Sequence, residues 1–263
     1  NPLEDALAVV GLGKRGRSFY ALDVKNPAAP AMRWALCPDE PDNYPAGRFL
    51  QDGGLRATIG KMGYATAIPT PARMLWGNPA KVNDFIFLAG GYSVPEIEKN
   101  YPTANANTKL GRCVVAVEAT TGNIARVWDL STVNGMGPIV GGVIPYEFVR
   151  GSGLHTRAYF TDFFGGLWAL GSDARSTQAA TNGLRLDTPK LADWAATARA
   201  LFKQAPNNGL VSTWPVPFSL PSPMPTRTSD PQVSPAAVGI AWVTGDRMNP
   251  LDQNYNASNP RPT

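Results

Sequence analysis

In 263 residues the chain has only two cysteines and one histidine. A lone histidine, His155, excludes a metal centre built from several imidazoles, and any Ser-His-Asp machinery would have to use this one ring. No Gly-x-Ser-x-Gly elbow accompanies it, so it reads as a loop histidine with a solvent role. Charged residues make up 17% of the chain, below the roughly 25% of an ordinary soluble domain. The net charge of +4 comes from scattered basic residues, and no block of them resembles a nucleic-acid face. No run approaches the ~18 apolar residues of a membrane span. Gly11 to Gly16 contains Gly-x-Gly-Lys but lacks the spacing of a phosphate loop, and a β phrase follows it instead of a helix. Asp39, Glu40, Asp42 and Asp52 gather without the Gly-anchored spacing of a cation loop. With Pro38, Pro41 and Pro45 among them, they read as a solvated acidic loop.

Glycine and proline are abundant, at 26 and 25 residues, and they are spread along the chain, which indicates many short strands joined by turns. One strand phrase recurs: Phe19-Tyr20-Ala21-Leu22-Asp23, then Val114-Val115-Ala116-Val117-Glu118, then Leu167-Trp168-Ala169-Leu170. A Gly-containing stretch precedes each copy. The first two are followed by a turn, Pro-Ala-Ala-Pro or Thr-Thr-Gly-Asn, and then by Trp34 or Trp128. A short strand, a tight turn and a second strand ending in Trp is the unit of a repeated antiparallel sheet, and recurrence over tens of residues marks a propeller or solenoid. The expected fold is all-β, a partial β-propeller of four-stranded antiparallel blades. Trp34, Trp128 and Trp168 are expected to pack in the core or between blades. Cys37 and Cys113 fit either a disulfide between neighbouring blades or two buried thiols, and two cysteines do not fix the compartment.

Along the chain, strands are expected at 6–12, 17–24, 31–36, Ile59 to Ile68, Asp84 to Gly90, Cys113 to Glu118 and Ile124 to Trp128. A third group starts at Pro138 and continues through Arg157 and Leu167. Thr188-Pro189 supplies an N-cap and a Pro at the first helical position. Leu191, Trp194, Ala195, Ala198, Leu201 and Phe202 then fall at helical spacing, so a helix is expected near 188–204. Seven prolines between Trp214 and Pro235 predict an extended, polyproline-like strap. The blade segments are placed at 6–36, 57–130, 136–220 and 234–246, with a projecting loop at 91–110 and a helical and Pro-rich insertion over 172–235. An open arc exposes two sheet edges, and Asn1 carries no initiator Met, so a piece of a longer protein is expected.

Several phrases, in order, resemble the PilY/PilC proteins of type IV pili. Gly11 to Trp34, with its Tyr-Ala-Leu-Asp-Val and Pro-x-x-Pro, is similar to the family's glycine-rich stretch. Ile59-Gly-Lys-Met-Gly-Tyr64, Phe85 to Tyr92, Ala119-Thr-Thr-Gly-Asn123, Ala158 to Trp168 and Val243-Thr-Gly-Asp246 follow in the family's order. The resemblance covers roughly 8–170 and 236–246 and implies a propeller region of a secreted protein at the pilus tip or outer membrane. It further implies minor pilins as partners in assembly, adhesion and twitching motility, and a host or surface ligand. Tyr20, Asp23, Trp34, Trp128, Asp162 and Trp168 would be its structural residues. The family's calcium loop before the Tyr-x-Gly-Asp phrase corresponds to Arg150, Gly151, Ser152, Gly153, His155 and Arg157. That run has no carboxylate, whereas calcium takes six to eight oxygens, so no metal is expected there.

Quinone-dependent dehydrogenases share these blade motifs and are the competing reading, alongside an outer-membrane scaffold of the same fold. Such enzymes need calcium, a basic residue on the quinone and a carboxylate base, often with adjacent cysteines. This chain has no adjacent cysteines and no evident carboxylate pair at a strand end. The expectation is a non-enzymatic interaction domain with no catalytic residue and no cofactor.

Overall fold

Cys113 to Val117 is an unbroken apolar run because the strand that carries it is covered on both faces. In the computed structural model Val114 and Ala116 enter one core with a following sheet. Cys113, Val115 and Val117 enter another with a preceding sheet. The structure describes residues 6–38, 58–93, 110–147, 153–171, 191–203, 211–212, 215–219, 238–241 and 244–245. The acidic cluster Asp39 to Asp52, most of the projecting loop (94–109), Arg150, Gly151, Ser152 and the bulk of the Pro-rich insertion lie outside these residues.

The first sheet contains β1 (Leu7–Gly11), β2 (Phe19–Asp23) and β3 (Ala31–Leu36), all antiparallel. The second holds β4 (Thr70–Trp76), β5 (Lys81–Ala89), β6 (Cys113–Glu118) and β7 (Ile124–Asp129). The third holds β8 (Val143–Tyr146), β9 (Arg157–Thr161), β10 (Leu167–Gly171) and β11 (Arg199–Phe202). A last hairpin joins β12 (Val211–Ser212) and β13 (Val216–Ser219) to β14 (Val238–Ala241) and β15 (Thr244–Gly245), its two halves one residue out of step. β8 lies against β4 and β5, and β13 lies against β8. The sheets are therefore successive blades of a partial β-propeller, with three, four and four strands in the first three and two two-stranded ladders in the last, among the described residues.

Four expectations are corrected. Ile59 to Ile68 is apolar because Ile59, Met62, Ala65 and Ala67 are buried, yet it is not a strand. It crosses the blade ends, with Gly63 N–H bonded to Gly90 O and Tyr64 bridged to Tyr92. The blade's first strand is instead β4, whose Pro71 sits on a sheet edge where a missing N–H breaks no ladder. Second, no helix forms at 191–203. Leu191–Asp193 is a single 3-10 turn, and β11 follows. Leu191, Trp194 and Ala198 are buried as their spacing suggested. However, Ala195 N–H, which a helix would give to Leu191 O, goes to Gly171 O at 2.9 Å, and β10 still needs a partner for its edge. Third, residues 216–219 of the Pro-rich strap form a ladder with β14, so 211–219 belong to the fourth unit, not to a segment running 136–220. Fourth, the third sheet begins at Val143, since 138–142 pack against the end of the second blade through Ile139.

That packing depends on backbones meeting without side chains. Gly91, at φ 84°, lies so close to Tyr64 that a Cβ would overlap its carbonyl oxygen. Both cysteines are free and buried. Cys113 is fully enclosed, and burial, helped by Asp129, pushes its thiol up to about 12.

Candidate functional site

The first and second blades each reach the next through a tryptophan on the last strand. Trp34 is buried and donates its indole N–H to Ala119 O at 2.8 Å. That carbonyl belongs to the Thr-Thr-Gly-Asn turn of the second blade. Gly122, at φ 75°, lets the turn close against the ring, since a Cβ there would lie 2.5 Å from Trp34 Cγ. Trp128 donates to Ala195 O at 2.9 Å and packs with Phe87 and Trp194, ring centroids 5.8 to 5.9 Å apart. The two tryptophans are not register equivalents, however. Pairing between the third and fourth strands slips at Ala21/Leu22 and at Ala116/Val117. Aligned on that slip, Trp34 (opposite Ala21) matches Arg126 (opposite Ala116), and Trp128 matches Leu36.

Arg126 is the residue that sequence reasoning missed. Its guanidinium lies 5.1 Å over the Trp128 ring and donates to the carbonyls of Leu191, Ala192 and Trp194. These are the acceptors a helix starting at Leu191 would have used for its next turn, so Arg126 holds the 3-10 turn in place. Burial lowers its pKa, with Asp193 opposing. Placing the two repeats on their shared slip would have exposed it, because the position that matches Trp34 also reaches the next blade. Arg126→Ala should cost about 1.5–3 kcal/mol, the worth of hydrogen bonds from a charged donor. Urea unfolding checks this, and a loss below 0.5 kcal/mol would remove the clasp from the account.

Asp162 is fully buried, and its carboxylate fills its own turn. Oδ1 accepts from the amides of Phe164 and Gly166 at 2.9 and 2.8 Å. Oδ2 accepts from Gly137 N–H at 3.0 Å and from the Trp168 indole at 2.8 Å. Burial pushes this carboxyl above its ordinary range, and the four donors pull against that shift. Trp168 itself faces the core shared with the second blade. Asp23 performs a smaller version of this task at the other end of the first blade. It accepts from Lys25 N–H at 3.0 Å and pairs with Arg33 at 3.1 Å. Tyr20 is half-buried on the opposite face of the sheet from Phe19 and Ala21.

Of the run resembling a calcium loop, Gly153 donates its N–H to Glu147 Oε1 at 2.9 Å. His155 docks on the free edge of β4: its N–H donates to Arg73 O at 2.8 Å, and its Nδ1 accepts from Arg73 N–H at 3.0 Å. Arg157 lies in β9, opposite Tyr146 and Gly171. The loop thus ties the third blade to the first strand of the second. A cleft lined by Arg157, Gly171, Ala195, Thr197 and Arg199 lies alongside, with about 20 Å³ of room, roughly one water and too little to enclose an organic cofactor.

No family model matches the chain, and no curated protein matches it. Among solved structures the chain is similar to the crystal structure of the Pseudomonas aeruginosa PilY1 C-terminal domain. The TM-score is 0.50 and the identity 17%, over 82% of this chain and 38% of that one. The chain therefore spans well under half the length of that structure, and the likeness establishes a shared fold.

Proposed function

We propose that this chain is the propeller region of a pilus-associated protein, extracellular or at the outer membrane, and that it binds other proteins without catalysing a reaction. The observation that carries this reading is the fold shared with the PilY1 C-terminal domain over 82% of the chain. The ordered phrases from Gly11 to Trp168 support it independently. The chemistry of the site points the same way. Asp162, Arg126 and His155 are engaged in holding turns and joining blades. Such a scaffold leaves recognition to its connections. Minor pilins are the proposed partners, in pilus assembly, adhesion and motility. Immobilised protein should retain minor pilins from a sheared-pilus fraction of the producing cells. Recovery no greater than on an unrelated propeller of equal charge would reject the proposal.

A further inference from the structure

Between β7 and the third blade the chain makes a β-turn, Val133-Asn134-Gly135-Met136, closed by Met136 N–H on Val133 O at 3.3 Å. Gly135, at φ 78°, supplies the positive φ at the third position. Both central residues are exposed. A Cβ added at Gly135 would meet nothing within 4 Å, so no neighbour crowds the tip. Directly after it the chain turns inward. Met136 is buried in the core shared by the second and third blades, and Gly137 gives its N–H to Asp162 Oδ2 at 3.0 Å.

Asparagine followed by glycine can react with itself, and here nothing restrains the pair. The Gly135 nitrogen, giving its proton to hydroxide, would add to the side-chain carbonyl carbon of Asn134. The bond to the side-chain nitrogen then breaks, ammonia leaves, and a five-membered succinimide remains. Water opens that ring at either carbonyl. One opening gives Asp in a normal main chain. The other gives an isoaspartyl link, in which the main chain runs through the side chain and is one methylene longer. Glycine has no Cβ to hinder its nitrogen. Among the described residues Asn134 is the one asparagine that precedes glycine. Asn26 and Asn78 precede proline, which has no N–H, and Asn83 and Asn123 precede Asp84 and Ile124, whose side chains crowd the nitrogen. Asn26 and Asn83 are also hydrogen-bonded through their side chains, to Ala28 N–H and Glu118. Neither the Asn134 side chain nor the Gly135 N–H makes a hydrogen bond among the described residues.

We propose that Asn134 is a site of spontaneous deamidation in the folded protein, and that its isoaspartyl product loosens the junction between the second and third blades. Opening an exposed turn costs little free energy, so the fold slows the attack only slightly. The two products differ in effect. The aspartyl form alters a side chain that bonds to nothing described, and leaves the main chain as it was. The isoaspartyl form lengthens the main chain immediately before Met136 and Gly137, whose places in the core and on Asp162 are fixed. This goes beyond the pilus reading and does not depend on it.

The whole chain is aged in mildly alkaline buffer beside a blocked peptide copying residues 130–138, and both are mapped by mass spectrometry. Asn134 should lose its amide at a rate within about tenfold of the peptide's, while Asn26, Asn83 and Asn123 keep theirs. An amide at Asn134 that outlasts the peptide's by far more than this would overturn the assignment. Asn134→Gln is aged alongside, because it keeps the other Asn-Gly pairs of the sequence, 182–183 and 208–209, and removes only this one. The isoaspartyl fraction of the parent, separated by chromatography, should melt below aged Asn134→Gln and exchange its Gly137 amide about tenfold faster or more. Asn134→Asp, made directly, should match the unaged parent in both measurements. An isoaspartyl form that melts and exchanges like Asn134→Asp would overturn the effect on the junction.

Discussion

Asp162→Asn is expected to destabilise the protein by about 2–5 kcal/mol although it changes one atom. The four donors converge in two pairs, Phe164 and Gly166 on Oδ1, Gly137 and the Trp168 indole on Oδ2. An amide offers one acceptor oxygen and one NH₂. Whichever way it is turned, two buried N–H groups face another donor, and each orphaned donor costs about 1–3 kcal/mol. Urea unfolding at neutral pH, with the slope compared between proteins, gives the measurement. A loss under 1 kcal/mol would mean that the turn is held by its backbone alone. Because Gly137 lies before β8, the same substitution should also loosen the junction between the second and third blades.

The second large effect is expected at the aromatic junction. Trp128→Ala should cost about 3–5 kcal/mol, the usual range for truncating a buried large aromatic. Trp128 is wholly enclosed, and its removal takes away the ring that packs on both Phe87 and Trp194 and orphans Ala195 O. Trp128→Phe isolates one part of this: it keeps a ring and drops the indole N–H, so it should cost about 1 kcal/mol from the lost bond, with a further loss from the smaller ring. Equal losses in the two variants would show that packing with Phe87 and Trp194 contributes little. Thermal melts of both, with amide exchange across 199–202, would also show whether β11 loosens when the turn before it loses an anchor.

Much of this architecture was legible because its signals are local. An unbroken apolar strand with a Gly-bearing turn after it identifies β6 whatever surrounds it, since both faces must be covered and Gly122 must reach positive φ. The Asp-x-x-Gly-x-Leu-Trp spacing likewise places Asp162 four residues from one of its donors and six from another. Residues 191–202 were misread for an equally specific reason. Apolar side chains at Leu191, Trp194 and Ala198 suit a helix, but they suit a 3-10 turn leading into a strand just as well. Segment 59–68 reads as a strand because burial gives a crossing segment the same apolar content.

Taken alone, the amino-acid order determined an all-β repeat, the recurring third strands, the large aromatics of the core and the turn that encloses Asp162. Tertiary structure decided which backbone groups paired. Gly171 O drew Ala195 N–H out of a helix, Arg126 took the carbonyls that remained, and β4 rather than 59–68 completed the second blade. The physical reason is that a hydrogen-bonding group accepts whichever partner the folded chain brings within reach, and a partner outside the local turn, such as Leu191 for Arg126 at 65 residues, leaves no periodic trace in the sequence.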